Sequence, residues 1–268
     1  MSAPELVAYL NGVGLLGPGL ADWPGAARVL SGREIWQRAP TVLPAPQCLP
    51  GAERRRTGPL VKLTLAVGLE ATAAARADPA SLPAVFTSSG ADGQTCHEIC
   101  EALASDDRQL SPTRFHNSVH NAAAGYWGIA TGATAASNAL CAYDASFAAG
   151  LLEALCQVAV EHTSVLLVAY DGSYPEPMHH IRPIPDAFGV ALVLAPRAGA
   201  ASLARLEAAF CAARADPMTD AALETLRASI PAARSLPLLA QLARGASGRV
   251  VIEYLDNTGL AVEVRPCR

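Results

Sequence analysis

The sequence predicts a layered α/β fold in which buried strands alternate with helices. Three observations carry this. Residues 164–170 and 188–194 are continuous apolar runs of strand length, as in strands buried on both faces. Residues 142–161 set Phe147, Leu151, Leu152, Leu155 and Val158 in a wide apolar stripe at helical spacing. Pro59 opens a second helix with Leu60, Leu63, Val67 and Ala71 on one face. Buried strands separated by such helices stack into layers around a mixed sheet.

The other elements follow in chain order. Residues 6–13 read as a buried strand, broken by Gly12, Gly14, Gly17, Pro18 and Gly19. Asp22 caps a helix over residues 23–30, with Gly32 beyond its end. Residues 40–50 are loop by proline content, and residues 84–88 form a short strand followed by a helix over 95–104. The stretch 111–121 starts as polar loop; 122–130 is helix or buried turn, and 131–139 a short extended segment. Residues 171–185 are loop rich in Pro and His, and residues 203–213 fit strand or helix. A helix over 220–230, a short helix over 238–243 and a hairpin turning at residues 256–259 complete the chain.

Composition narrows the function classes. Hydrophobic residues make up 51% and charged residues 16% of the 268 residues, against about 25% charged in an average chain. This predicts a compact protein with much buried surface, including a subunit interface. The net charge is -4 and no basic stripe runs along any segment, which excludes nucleic acid as a partner. Arg54, Arg55 and Arg56 are the densest positive run and read as a short solvated turn. No apolar stretch is long enough for a membrane span. Residues 1–8 lack the basic and apolar regions of a cleavable signal. Seven scattered cysteines form no disulfide framework, so a reducing cytoplasm is expected.

The segment from Phe115 to Gly172 carries the chemistry. An apolar approach leads to Cys141, and the long helix is expected directly after it. A cysteine at a strand-to-helix turn lies at the positive end of a helix dipole, which favours thiolate. Such a turn also leaves backbone N–H groups free for an oxyanion. Asp144 opposes this, because a carboxylate there disfavours a nearby thiolate. Cys141 is therefore either a nucleophile or a small apolar residue under the helix. His116 and His120, spaced i, i+4, share a face if they lie on one helix. They are a polar hydrogen-bonded turn with Asn117, Ser118 and Asn121, a metal pair, or a general base near Cys141. Cys96 and Cys100, flanking His97, read as buried thiols on a helix, and the turn 88–93 lacks the lysine of a nucleotide loop. No cofactor and no metal are expected.

Residues 132–141, Gly-Ala-Thr-Ala-Ala-Ser-Asn-Ala-Leu-Cys, resemble the approach to the nucleophile in β-ketoacyl synthases. The element Asn121-Ala122-Ala123-Ala124-Gly125, the run Ser111-Pro112-Thr113-Arg114-Phe115, the strand 188–194 and the turn 12–14 resemble that family's pattern in the same order. The resemblance covers roughly residues 5–212. Residues 115–121 and 145–154 are similar to the short chain-length-factor-like homologues found with aryl polyene and related polyketide clusters.

This resemblance implies the N-terminal half of a thiolase-like layered fold over residues 1–214, with a small helical and β-hairpin tail, 215–268, packed on it. It implies Cys141 at the nucleophile position, His116 and His120 near it, and Phe115, Asn117, Asn121, Tyr143, Asp144 and Phe147 at a cavity or interface. Asn138, Ala139 and Leu140 stand where active members have Asp-Thr-Ala, and the family's two later histidines have no counterpart before the chain ends. The implied role is therefore a partner subunit. It pairs as a heterodimer with a full-length ketosynthase, or with itself when alone, and works with acyl carrier protein in fatty acid or polyketide elongation. The competing reading is a minimal Cys-dependent acyltransferase or thioesterase acting on acyl carrier protein or acyl-coenzyme A. A third is a binding or scaffold protein that reuses the fold.

Overall fold

The computed structural model describes residues 6–267; residues 1–5, part of the segment read as lacking a signal, lie outside the described residues. In chain order the elements are β1 (Leu6–Leu16), α1 (Trp23–Leu30), α2 (Gly51–Arg56), α3 (Pro59–Ala75), β2 (Ala84–Thr87), α4 (Gly93–Ala104), α5 (Pro112–Asn117), α6 (Ala122–Thr131), β3 (Ser137–Leu140), α7 (Ser146–Glu161), β4 (Val165–Asp171), α8 (Met178–Ile181), β5 (Phe188–Ala195), β6 (Ala204–Cys211), α9 (Ala221–Ser229), α10 (Leu236–Arg244), β7 (Gly248–Leu255) and β8 (Thr258–Pro266). Two 3-10 turns, Tyr143–Ala145 and Pro231–Ser235, precede α7 and α10.

All eight strands join one sheet in the order β3-β2-β4-β5-β1-β6-β8-β7. The neighbours β3, β2 and β4 are parallel, and every other pairing is antiparallel. Alternation along β4 shows how the layers form. Val165, Leu167 and Ala169 face one apolar cluster, and Leu166, Val168 and Tyr170 face the other. The first cluster takes Phe147, Leu151 and Leu155 of α7; the second takes Val61, Leu63 and Val67 of α3 with Tyr126 and Trp127 of α6. The sheet is thus covered by helices on both faces, which is why β4 and β5 are buried at every position and apolar up to the terminal Asp171 of β4.

The tail continues this arrangement. β8 pairs with β6, and β7 with β8. Leu226, Leu239, Ile252 and Val262 share a cluster with Leu151, Leu192 and Leu206, so the tail and the first 214 residues have a common core.

Several elements depart from the sequence reading. β1 runs on to Leu16, through two of the glycines expected to break it. A Cβ on Gly12 would lie 2.1 Å from Ala71 O and one on Gly14 2.0 Å from Val67 O. These glycines let α3 sit directly on the strand; they serve close approach, not a turn. Residues 204–211 resolve as strand, and α7 starts later than expected, at Ser146. The thiols of Cys96 and Cys100 are exposed, because α4 buries no residue. Among the described residues, no helix is long and apolar enough to cross a membrane.

Candidate functional site

Cys141 follows β3 directly and lies beside the turn that leaves β2. Parallel pairing puts those two strand ends together: Ser88 N–H donates to Leu140 O at 3.2 Å. The Cys141 thiol donates to Ser89 O at 3.2 Å, and the residue is exposed. A 3-10 turn separates it from α7. The N–H of Ala142 donates to Ser146 Oγ at 3.0 Å, and that of Ala145 to Ala142 O at 2.9 Å. These donors, expected to be free for an oxyanion, already have acceptors.

The serine turn is organised by a residue that the sequence reading passed over. Asp171, the last residue of β4, is buried at 2% exposure. Its Oδ1 accepts from Ser89 N–H (2.8 Å), Ser89 Oγ (2.6 Å) and Ser88 Oγ (3.3 Å), and its Oδ2 from Ala232 N–H (2.9 Å). Burial pushes the carboxyl up to about 6, against the pull of these hydrogen bonds in the other direction. Tyr174 Oη lies 3.4 Å from Ser89 Oγ. Among the described residues no cation pairs with Asp171. An acidic residue ending an apolar run is the one signal that marked it.

Asp144 does not act as the sequence suggested. Arg182 Nη2 binds its Oδ1 at 2.5 Å, and Arg234 Nη2 its Oδ2 at 2.9 Å. Arg234 also pairs with Glu253. Two guanidinium groups thus offset the carboxylate expected to oppose a thiolate. Arg182 lies over the Tyr143 ring, 3.7 Å from its centroid. Tyr143 is exposed and has φ +52°, in the left-handed region. An open groove of about 950 Å³ runs from Ala142–Ala145 to the β7–β8 turn.

The two histidines are not brought together. α5 ends at Asn117, so His120 falls in the next turn. His116 is exposed, edge-on to Tyr126 with centroids 6.4 Å apart. His120 borders a small cavity of about 20 Å³ with Asp92, Asn117 and Tyr170, and its Nε2 is buried without a partner. Among the described residues, neither histidine hydrogen-bonds to Cys141, and no three metal-ligating side chains converge. Asn117 joins the polar turn: its amide donates to Arg56 O at 2.9 Å, and it accepts from Tyr126 Oη at 3.1 Å. Phe115 and Asn121 are exposed. Phe147 differs from the expected cavity or interface position, because its side chain lies wholly within the chain's own core.

The chain matches the family described as β-ketoacyl synthase, N-terminal domain, over residues 30–251. Among solved structures it is similar to a chain of the ketosynthase (ApeO) in complex with its chain length factor (ApeC) from Xenorhabdus doucetiae. Identity there is 24% over 96% of this chain and 99% of that one, with a TM-score of 0.73. It is also similar to a chain of the ishigamide ketosynthase/chain length factor, at 14% identity over 98% and 100% of the two chains and a TM-score of 0.70. A third match is to a chain of a type II PKS acyl-carrier protein in complex with its ketosynthase bound to the hexaketide, at 11% identity over 97% of this chain and 99% of that one and a TM-score of 0.76. These likenesses show the fold, and the thiolase-like layered expectation holds. A search of curated proteins finds no match.

Proposed function

The chain belongs to the β-ketoacyl synthase N-terminal-domain family, and on that basis we propose that it is a chain-length-factor-type subunit, pairing with a catalytic ketosynthase in fatty acid or polyketide (aryl polyene) chain elongation. Acyl carrier protein is the second partner, and the cytoplasm the compartment. The open sheet edge beside the cysteine supports this reading most.

The sheet has two edges. At the middle of β7 the chain caps its own edge: Asp216 Oδ2 accepts from Val251 N–H at 2.8 Å, and Asp216 N–H donates to Val251 O at 2.9 Å. At β3 no described strand pairs with the outer side, and β3 leads straight into Cys141. α6, which packs beside β3, exposes Ile129, and the segment before it exposes Phe115 and Val119. An unpaired strand with apolar neighbours suits the addition of a partner's strand. Cys141 without a histidine partner fits a subunit that leaves condensation to its partner. The supporting test is co-expression with a ketosynthase from the same gene cluster, followed by size-exclusion chromatography. A stable one-to-one complex is expected, and an indefinitely stable, monodisperse monomer in its place counts against the proposal.

One observation favours a second reading, a minimal Cys-dependent acyltransferase or thioesterase: the Cys141 side chain is exposed next to an open groove. Incubation with acyl thioesters of several chain lengths and intact-mass measurement tests it. No adduct on Cys141 removes this reading.

A further inference from the structure

One short piece of the tail reaches the cysteine turn from two sides. The turn Pro231–Ser235 buries Pro231, Ala232, Ala233 and Ser235. From Ala232 a polar path runs through Asp171 to Ser89, whose carbonyl accepts the Cys141 thiol. From Arg234, with its side chain 12% exposed, a second path runs to Asp144, just downstream of the cysteine. Arg234 is itself fixed by Glu253 of β7. Between the two anchor points lies Tyr143 at φ +52°, a conformation that costs a non-glycine residue free energy and persists only when its surroundings hold it.

We propose that the turn Pro231–Ser235 is a positioning element for the Cys141 loop, with Arg234 and Asp171 as its positioning residues. The clamped loop holds the cysteine as a hydrogen-bond donor to Ser89 O, which requires the proton to stay on sulfur. The clamp therefore keeps the sulfur engaged with Ser89 O, and loosening it from either side frees the sulfur to react. The proposal concerns this chain alone and stands whether or not it pairs with a ketosynthase.

The test is the rate of maleimide labelling, resolved by peptide mass spectrometry on the full chain. Cys48, Cys96 and Cys100 are exposed elsewhere and serve as internal standards. Arg234→Gln is expected to raise the Cys141 rate about three- to tenfold, the range set by the loss of one such hydrogen bond, with the standards unchanged. Arg234→Lys, which restores a cation beside Asp144, is expected to return most of the protection. Arg227→Gln breaks the pair between Arg227 and Glu224 in the same tail and is expected to leave Cys141 unchanged. Asp171→Asn should act like Arg234→Gln; if it does not fold, Arg234→Gln alone decides. A Cys141 rate within about twofold of wild type in Arg234→Gln overturns the proposal, as does an equal rise in Arg227→Gln. Failure to form a complex with a ketosynthase would overturn the functional reading and leave these rates as expected.

Discussion

Among the described residues, Asp171 is the one charge-bearing side chain in the buried set. Its carboxyl titrates at about 6 in the folded chain against 3.8 as its ordinary value, so the folded state binds more protons between those limits. Stability therefore falls as pH rises through that window and stays lowered above it. The difference amounts to about 3 kcal/mol at neutral pH. Burial, with the neighbouring charges of Asp171 and Asp92, pushes the Tyr170 phenol up. Urea unfolding of wild type and Asp171→Asn at pH 4.5 and 7.5 is expected to show that wild type loses more stability between the two values. Equal pH dependence in both proteins would contradict the assignment. At this scale the sequence was partly legible. Cys141 stood out through its place after an apolar approach. Its surroundings did not, because Ser89, Asp171 and Ala232 are far apart along the chain: β2–β4 pairing brings the first two together, and packing of the tail turn brings the third. Asp144 was noticed, but its two arginines arrive from a loop and from the tail, which no local pattern marks.

The elements were legible where a period was long. β4, β5 and the body of α7 follow from apolar runs and a stripe, since burial on both faces or on one side leaves a strong pattern. The start of α7 did not, because residues 142–145 have helix-compatible side chains while a 3-10 turn and a left-handed Tyr143 occupy them. The glycines of β1 misled for a related reason: the sequence shows the missing side chain but not the helix that fills its place. This predicts a sharp asymmetry. In Gly14→Ala the new methyl meets the backbone of α3, and the chain is expected to lose about 2–3 kcal/mol. In Gly125→Ala the methyl meets nothing, and α6 is expected to gain about 0.5–1 kcal/mol. Chemical denaturation midpoints measure both. A neutral Gly14→Ala would mean that α3 does not seat on β1.

For the whole molecule, the decisive feature is that the sheet edge at β7 is capped at Val251 while no described strand pairs with the outer side of β3. The layered architecture was readable from alternating strands and helices. The joining of the tail hairpin to β6 was not, since strand order depends on contacts remote in sequence. Ser88 N–H bonds Leu140 O and Ala84 N–H bonds Ala136 O, so Ala139 turns its own N–H to the open side. Ala139→Pro removes that outward donor and no bond to β2, as edge strands tolerate. The variant is expected to keep its fold by circular dichroism and to lose complex formation in size-exclusion chromatography; a complex of unchanged affinity would place the interface elsewhere. The most direct test of the central claim is condensation by the co-expressed pair with wild-type chain and with Cys141→Ala. A stable heterodimer whose condensation survives the substitution is expected. Activity abolished by Cys141→Ala, with the heterodimer intact, would show that this chain carries the chemistry itself and would contradict the account.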